Sequence, residues 1–218
     1  MKRFPMSPDS PVPLLWENYP FQSAFIAVFE KGEYLCVQDQ PVENLFLIQS
    51  GKVKTCITSP EGKNFLVNFY GKGILIGDIE GVLLSPNATS NVQAVTRTVC
   101  YGIAMKEFLE VAHQNLDLMN HLAILLAGRT RRIVRNAAVN ILSTLEKRLC
   151  AYIKQMQHDG YFEENLTTLS DMLGTGYRNL HRTLRVLCEK GILQKKGRGY
   201  LILDMDTLSD LAGDMYRI

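Results

Sequence analysis

The chain has 218 residues, of which 46% are hydrophobic and 21% charged, and a net charge of +2. That balance excludes wholesale disorder, and no apolar run approaches the about 20 residues that a membrane-spanning helix requires. The five cysteines (Cys36, Cys56, Cys100, Cys150, Cys188) are widely spaced and include no Cys-x-x-Cys pair. This pattern predicts buried free thiols rather than a disulfide framework or a zinc knuckle. Lys2 and Arg3 lead into Pro5, Pro8, Pro11 and Pro13 rather than into the apolar core of a secretory signal, so a cytoplasmic location is expected.

Residues 1–20 are proline-rich and aperiodic, which predicts an irregular arm. Residues 25–104 are strand-like. The runs 34–37, 45–49, 53–58, 65–69 and 99–103 are rich in β-branched and aromatic residues and are separated by glycines. Gly51, Gly62 and Gly73 recur every 11 residues, as in hairpins of similar length wound into a barrel or roll. At Lys106 the period changes to that of a helix. Leu118, Leu122, Leu125, Leu126, Ile133, Ala137 and Ile141 make an apolar stripe with Asn115 as a candidate cap. A stripe of this length fits a pairing seam with a second copy, and it also fits packing on the chain's own roll. A break is expected near 140–143, with Ser143 and Glu146 as a capping box for the next helix. Asp159-Gly160 is read as that helix's end.

The last 70 residues carry the most specific pattern. Thr168 to Asp171 fits a capping box, so a short helix is predicted from Thr168 with Leu169, Met172 and Leu173 on its apolar face. Gly174-Thr175-Gly176 supplies a tight turn. A second helix follows over about 177–190. It buries Leu180, Leu184 and Leu187 and presents Tyr177, Arg178, His181, Arg182 and Arg185 on its other side. Two helices joined by such a turn hold the second at a fixed angle for entry into a major groove. Strands at 192–195 and 200–203 flank Lys196-Gly197-Arg198-Gly199, a basic hairpin suited to phosphates.

Charge supports the same reading. Between Tyr177 and Tyr200, seven basic residues stand against Glu189 alone, a local +6 in a chain of net +2. A basic patch confined to one domain is the electrostatic footprint of backbone binding. The predicted DNA contacts are therefore Thr168, Tyr177, Arg178, Asn179, His181, Arg182, Lys195, Lys196 and Arg198. The alternative is a three-helix subdomain with a solvated basic face.

With these motifs the chain resembles the Crp/Fnr superfamily of bacterial transcription regulators over about residues 25–203. The residues that carry the resemblance are Leu45 to Gly51, Glu61-Gly62-Lys63, Gly73 to Asp78, and Leu173 to Arg182. The Tyr-Arg-x-Leu start of the second helix is similar to the YeiL-type branch. The resemblance implies an α+β fold: a cyclic-nucleotide-binding-like β-roll (a double-stranded β-helix), a long dimerisation helix and a C-terminal winged helix-turn-helix. The corresponding segments are 1–20 (arm), 21–115 (roll), 116–142 (dimerisation helix) and 143–218 (DNA-binding domain). It also implies duplex DNA, a second copy of the chain and RNA polymerase as partners.

For an effector, the resemblance points to Gly77, Asp78, Thr89 and Ser90, and to Arg129 and Arg132 from the cluster Arg129, Arg131, Arg132, Arg135. The departures are informative. Cyclic-AMP-binding members grip the cyclic phosphate with an Arg-Ser pair, and Ala88-Thr89 stands there instead. Without the guanidinium, cyclic AMP is not expected to bind. The family's first roll glycine is replaced near Asp39-Gln40. No cysteine precedes Cys36, so the N-terminal iron–sulfur cluster of some members is not expected. His113, His121, His158 and His181 are scattered and none falls in the strand-like residues 25–104, so haem is not expected either.

The residues thus predict a DNA-binding transcription regulator, homodimeric, with an effector sensed by the roll. The alternative is a small-molecule sensor whose C-terminal domain mediates protein contacts. An enzyme is not expected. There is no nucleophile elbow, no phosphate-binding Gly-x-x-x-x-Gly-Lys loop and no histidine among the roll's strand-like residues 25–104. The Asp78/Glu80 carboxylate pair is read as lying on a loop with little meaning.

Overall fold

A computed structural model describes residues 1–6, 21–112 and 114–216. His113 and residues 7–20 of the expected arm lie outside the described residues. The chain divides into two compact units. One comprises Met1–Ile57 with Tyr70–Arg132, the other Thr58–Phe69 with Ile133–Ile218.

Along the chain come strands β1 (Lys2–Pro5), β2 (Phe25–Phe29), β3 (Tyr34–Cys36), β4 (Asn44–Ser50), β5 (Val53–Thr58), β6 (Asn64–Tyr70) and β7 (Leu75–Ile76). Helix α1 (Asp78–Leu83), strands β8 (Asn91–Ala94) and β9 (Thr98–Ala104), helix α2 (Met105–Ala112) and the long helix α3 (Leu116–Leu142) follow. Two antiparallel sheets result, ordered β1-β2-β9-β4-β7 and β3-β8-β5-β6. Strand alternation sorts β4 between two cores. Phe46 and Ile48 face Phe29, Val53 and Cys100, while Leu45 and Leu47 face Ile103, Phe108 and Leu122. Phe29 meets Phe46 edge-to-face at 5.3 Å, the arrangement the ring quadrupoles favour.

The glycine period is realised as turns, with φ of +93°, +80° and +86° at Gly51, Gly62 and Gly73. Asp39 takes the left-handed region at φ +64°. Asp is one of the few residues that tolerate this conformation.

Three expectations for this half are corrected. Residues 2–5 are not irregular, because β1 pairs with β2 from Lys2↔Val28 to Pro5↔Phe25. Proline is tolerated there because β1 is a sheet edge. Asp78 and Glu80 sit on a helix, α1, and both are buried. The expected cap Asn115 does accept from Leu118 N–H at 2.9 Å, but the break after α3 is capped by Thr144, not Ser143.

The second unit holds α4 (Leu145–Met156), β10 (Tyr161–Phe162), α5 (Leu166–Met172), α6 (Tyr177–Glu189), β11 (Leu193–Lys196), β12 (Gly199–Ile202) and α7 (Met205–Ala212). The strands form a sheet ordered β10-β12-β11. Asp159 (φ +49°) and Gly160 (φ +75°) form the turn into β10 rather than the end of α4, which stops at Met156. The hairpin tip 58–69 belongs to this unit. Phe69 meets Tyr152 at 5.8 Å and Tyr216 at 5.6 Å, and Tyr152 meets Phe162 at 6.1 Å, all edge-on and fully buried.

Candidate nucleic-acid interface and sensor cassette

Asn165, not Thr168, starts α5. Its side chain accepts from Thr167 N–H at 2.9 Å and Thr168 N–H at 3.1 Å. Asn is as good a cap as Thr, and here it leads the apolar positions into register. Thr168 is thereby a half-buried residue of the first helical turn. The helix ends where Gly174 adopts φ +59° and donates to Asp171 O at 2.9 Å. Asn179 and Leu180 N–H groups then return to Gly176 O at 3.0 and 3.1 Å, opening α6.

Leu180, Leu184 and Leu187 are at most 1% exposed, so the core sets how α6 is rotated. Tyr177, Arg178, Asn179, His181, Arg182 and Arg185 are consequently all exposed. Tyr177 stacks on His181 at 6.3 Å, one turn away. Arg185 turns toward Glu189 at 3.3 Å. Among the described residues no ion pair engages Arg178 or Arg182, so their donors are left for an outside acceptor.

The basic hairpin is β11–β12, with Gly197-Arg198 at its tip and register Lys196↔Gly199. Lys196 and Arg198 are exposed. Lys195 is held more closely: its Nζ donates to Arg198 O at 3.2 Å and lies 4.4 Å from the Tyr200 ring centre. Lys190 is committed to Glu146 at 2.6 Å. The nine predicted DNA contacts thus fall on α6 and the wing, apart from Thr168.

In the first unit, the candidate effector residues partner one another or their neighbours. Gly77 has φ +93°, and a Cβ there would lie 3.2 Å from Asn44 O. Asp78 accepts from Arg129 Nη2 at 2.8 Å, and Arg129 Nη1 donates to Leu75 O at 3.0 Å. Burial lifts the Asp78 carboxyl above its usual range, and the Arg129 guanidinium opposes that lift. Thr89 donates from both N and Oγ1 to Glu80 Oε1, each at 2.8 Å. Glu80 was not among the predicted site residues. Only burial gives it meaning, and its single sequence signal is a carboxylate within the apolar run 74–84.

Ser90 is half-buried beside Thr89. Arg131 and Arg132 are exposed on α3, so Arg129 alone of these three enters the cassette. The Arg135 side chain lies outside the described residues. These residues do not fit a cyclic phosphate. Ala88 brings no charge, and Thr89's two donors already serve a carboxylate. A cavity of about 250 Å³ in the same unit is lined by residues including Leu35, Cys36, Gln40, Glu43 and Phe46, none of them a predicted effector residue.

All five cysteines are free. Burial pushes the thiols of Cys36, Cys100 and Cys150 up to about 12, with Glu80 and then Asp78 adding to the effect at Cys36. Among the described residues no three His, Cys, Asp or Glu side chains converge to hold a metal ion. Among the described residues no helix is long and apolar enough to cross a membrane.

Paired antiparallel sheets with a buried cassette, joined to a winged helix-turn-helix with an open basic face, define a DNA-binding transcription regulator with a cyclic-nucleotide-binding-like domain. Family models agree: the cyclic nucleotide-binding domain matches residues 26–115 and the Crp-like helix-turn-helix domain matches 147–211. The chain belongs to the Crp/Fnr family of transcription regulators. It is 27% identical over 187 residues to the regulatory protein YeiL of Escherichia coli O157:H7, covering 86% of this chain and 85% of that one. It is 22% identical to the CRP-like cAMP-activated global transcriptional regulator of Mycobacterium tuberculosis, covering 83% and 85%. Its fold matches a Crp/Fnr-family regulator from Eubacterium rectale with a TM-score of 0.75 at 18% identity, over 87% and 89% of the chains.

Proposed function

We propose that the protein is a homodimeric, sequence-specific regulator whose DNA binding is modulated by an effector other than cyclic AMP, acting through the roll. The observation that carries the DNA reading is the exposed pair Arg178 and Arg182, one turn apart on α6 and outside every ion pair among the described residues. Guanidinium groups in that position suit guanine edges, while Lys196 and Arg198 on the wing suit phosphates.

The homodimer reading rests on α3. Leu116, Ile124, Val134 and Leu142 are each more than 60% exposed, an apolar cost that a second copy would remove. We assign 116–142 as the dimerisation helix between a roll at 21–115 and a DNA-binding domain at 143–218. Two such domains in a symmetric dimer would address half-sites about 34 Å apart. RNA polymerase is then the partner for regulation in the cytoplasm. The poor fit of Ala88, Thr89 and Glu80 to a cyclic phosphate supports an effector of another kind.

Fluorescence anisotropy on a selected operator, with sedimentation of the same mixture, tests this reading. The expected result is a two-fold complex whose affinity falls steeply with salt. A monomer that ignores DNA at every salt concentration, yet captures a protein partner through its C-terminal unit, would instead support the sensor alternative.

A further inference from the structure

The wing is tied down by a side chain from outside it. Tyr161 lies on β10, which pairs with β12 in the register Tyr161↔Leu201 and Phe162↔Tyr200. Gly199 stands two residues before Leu201, so it shares a face of β12 with it and is a diagonal neighbour of Tyr161. An aromatic ring can reach that far, and here it does. A Cβ on Gly199 would lie 2.6 Å from Tyr161 Oη and 2.7 Å from its Cζ. Glycine thus leaves the room in which the phenol crosses the middle strand of the sheet. Beyond β12, Tyr161 Oη donates to the Lys196 carbonyl of β11 at 3.1 Å, a contact across 35 residues of sequence. The hydroxyl's longer contact is with Glu163 Oε2 at 3.4 Å.

The tip has a second tie, because Lys195 Nζ donates to Arg198 O at 3.2 Å. The carbonyls of Lys196 and Arg198 are therefore both engaged by donors of the protein itself. A carbonyl oxygen turned toward a phosphate would repel it. With these two held, the exposed Lys196 and Arg198 side chains extend from a backbone whose direction is fixed. Ordering a loop during binding costs affinity, and a loop ordered beforehand avoids that cost.

We propose that Tyr161 is a positioning residue for DNA binding, whose hydroxyl braces the wing so that Lys196 and Arg198 meet phosphates without first having to be ordered. The proposal rests on the reading of the wing as a backbone clamp. Tyr161 itself touches no base and carries no charge to a phosphate, so it acts through the wing.

Fluorescence anisotropy of the full chain with a selected operator and with a random-sequence duplex is the test. The variants are Tyr161→Phe, the pair Lys196→Ala with Arg198→Ala, and all three together. Tyr161→Phe keeps the ring and every charge. It should weaken both duplexes alike, by about threefold to tenfold, and leave the salt slope unchanged. Added to the wing pair, it should change affinity by less than about twofold, because the side chains it positions are gone. Amide relaxation of the free protein gives a second readout, in which Gly197 and Arg198 should lose order in Tyr161→Phe while the melting temperature holds. A hydroxyl that merely supported the fold would lower the melting temperature and cost the same affinity with and without the wing side chains, and that outcome would overturn the proposal. If removing Lys196 and Arg198 costs no affinity, the clamp reading fails and the brace fails with it. If that removal costs affinity and Tyr161→Phe does not, the brace alone fails.

Discussion

Arg129 Nη2 donates a 2.8 Å hydrogen bond to Asp78 across 51 residues of sequence, with the two side chains only 10% and 5% exposed. Taking one partner from a buried pair leaves a charge with neither water nor counter-ion. Asp78→Asn or Arg129→Met should therefore each cost about 3–5 kcal/mol, and the double variant should cost less than the sum. Denaturant melts of the three variants check this. The sign with pH follows from the raised Asp78 carboxyl. A carboxyl whose folded value is raised favours the fold while protonated and loses that contribution as pH climbs through the folded value. Arg129→Met removes the group that opposes the rise, so its deficit should be widest where Asp78 is ionised and should narrow as falling pH protonates it.

Arg178→Ala or Arg182→Ala should cost about 1–3 kcal/mol of DNA binding and relax preference at particular base pairs. Lys196→Ala or Arg198→Ala should weaken all sequences alike and lower the salt slope by about one per lost phosphate contact. Binding across single-base operator variants at two salt concentrations separates the two groups. Identical, uniform losses would end the distinction between base reader and backbone clamp.

Cyclic AMP should give no binding heat in the micromolar range. Thr89's two donors are taken by Glu80, and Ala88 supplies no guanidinium. A well-determined micromolar titration would contradict this account of the cassette.

The glycine turns should tolerate substitution unequally, although their φ values are alike. A Cβ on Gly51 would sit 2.5 Å from Arg97 O and 2.6 Å from Thr98 Cα, whereas one on Gly62 meets nothing within 4 Å. Gly62→Ala should cost about 1–2 kcal/mol from the left-handed backbone alone. Gly51→Ala adds an overpacking clash of about 1–3 kcal/mol, so its melting temperature should fall clearly further.

Thiolates are the reactive form, and burial suppresses them here. Cys36, Cys100 and Cys150 should resist a maleimide at neutral pH in the folded protein and label once it unfolds. Cys188, half-buried and raised less, should label ahead of them, as read by peptide mass spectrometry.

The winged helix-turn-helix was legible in the sequence because its signals are local. Gly174 had to reverse the chain, Leu180, Leu184 and Leu187 had to share a face, and the arginines between them had to point away. The 11-residue glycine period likewise marked hairpin turns that three positive φ values realise. The start of α5 was placed three residues late, because Asn165 and Thr168 are nearly equal as caps and only packing chooses between them. The cassette was not legible in this way. Asp78 and Glu80 looked like loop carboxylates, because nothing within ten residues supplies the guanidinium that makes burying Asp78 tolerable. That partner, Arg129, arrives from the middle of a long helix, 51 residues on. Short-range periodicity and caps are written into neighbouring residues. The pairing of buried charges depends on which distant segments meet, and that is decided only when tertiary folding removes the water between them.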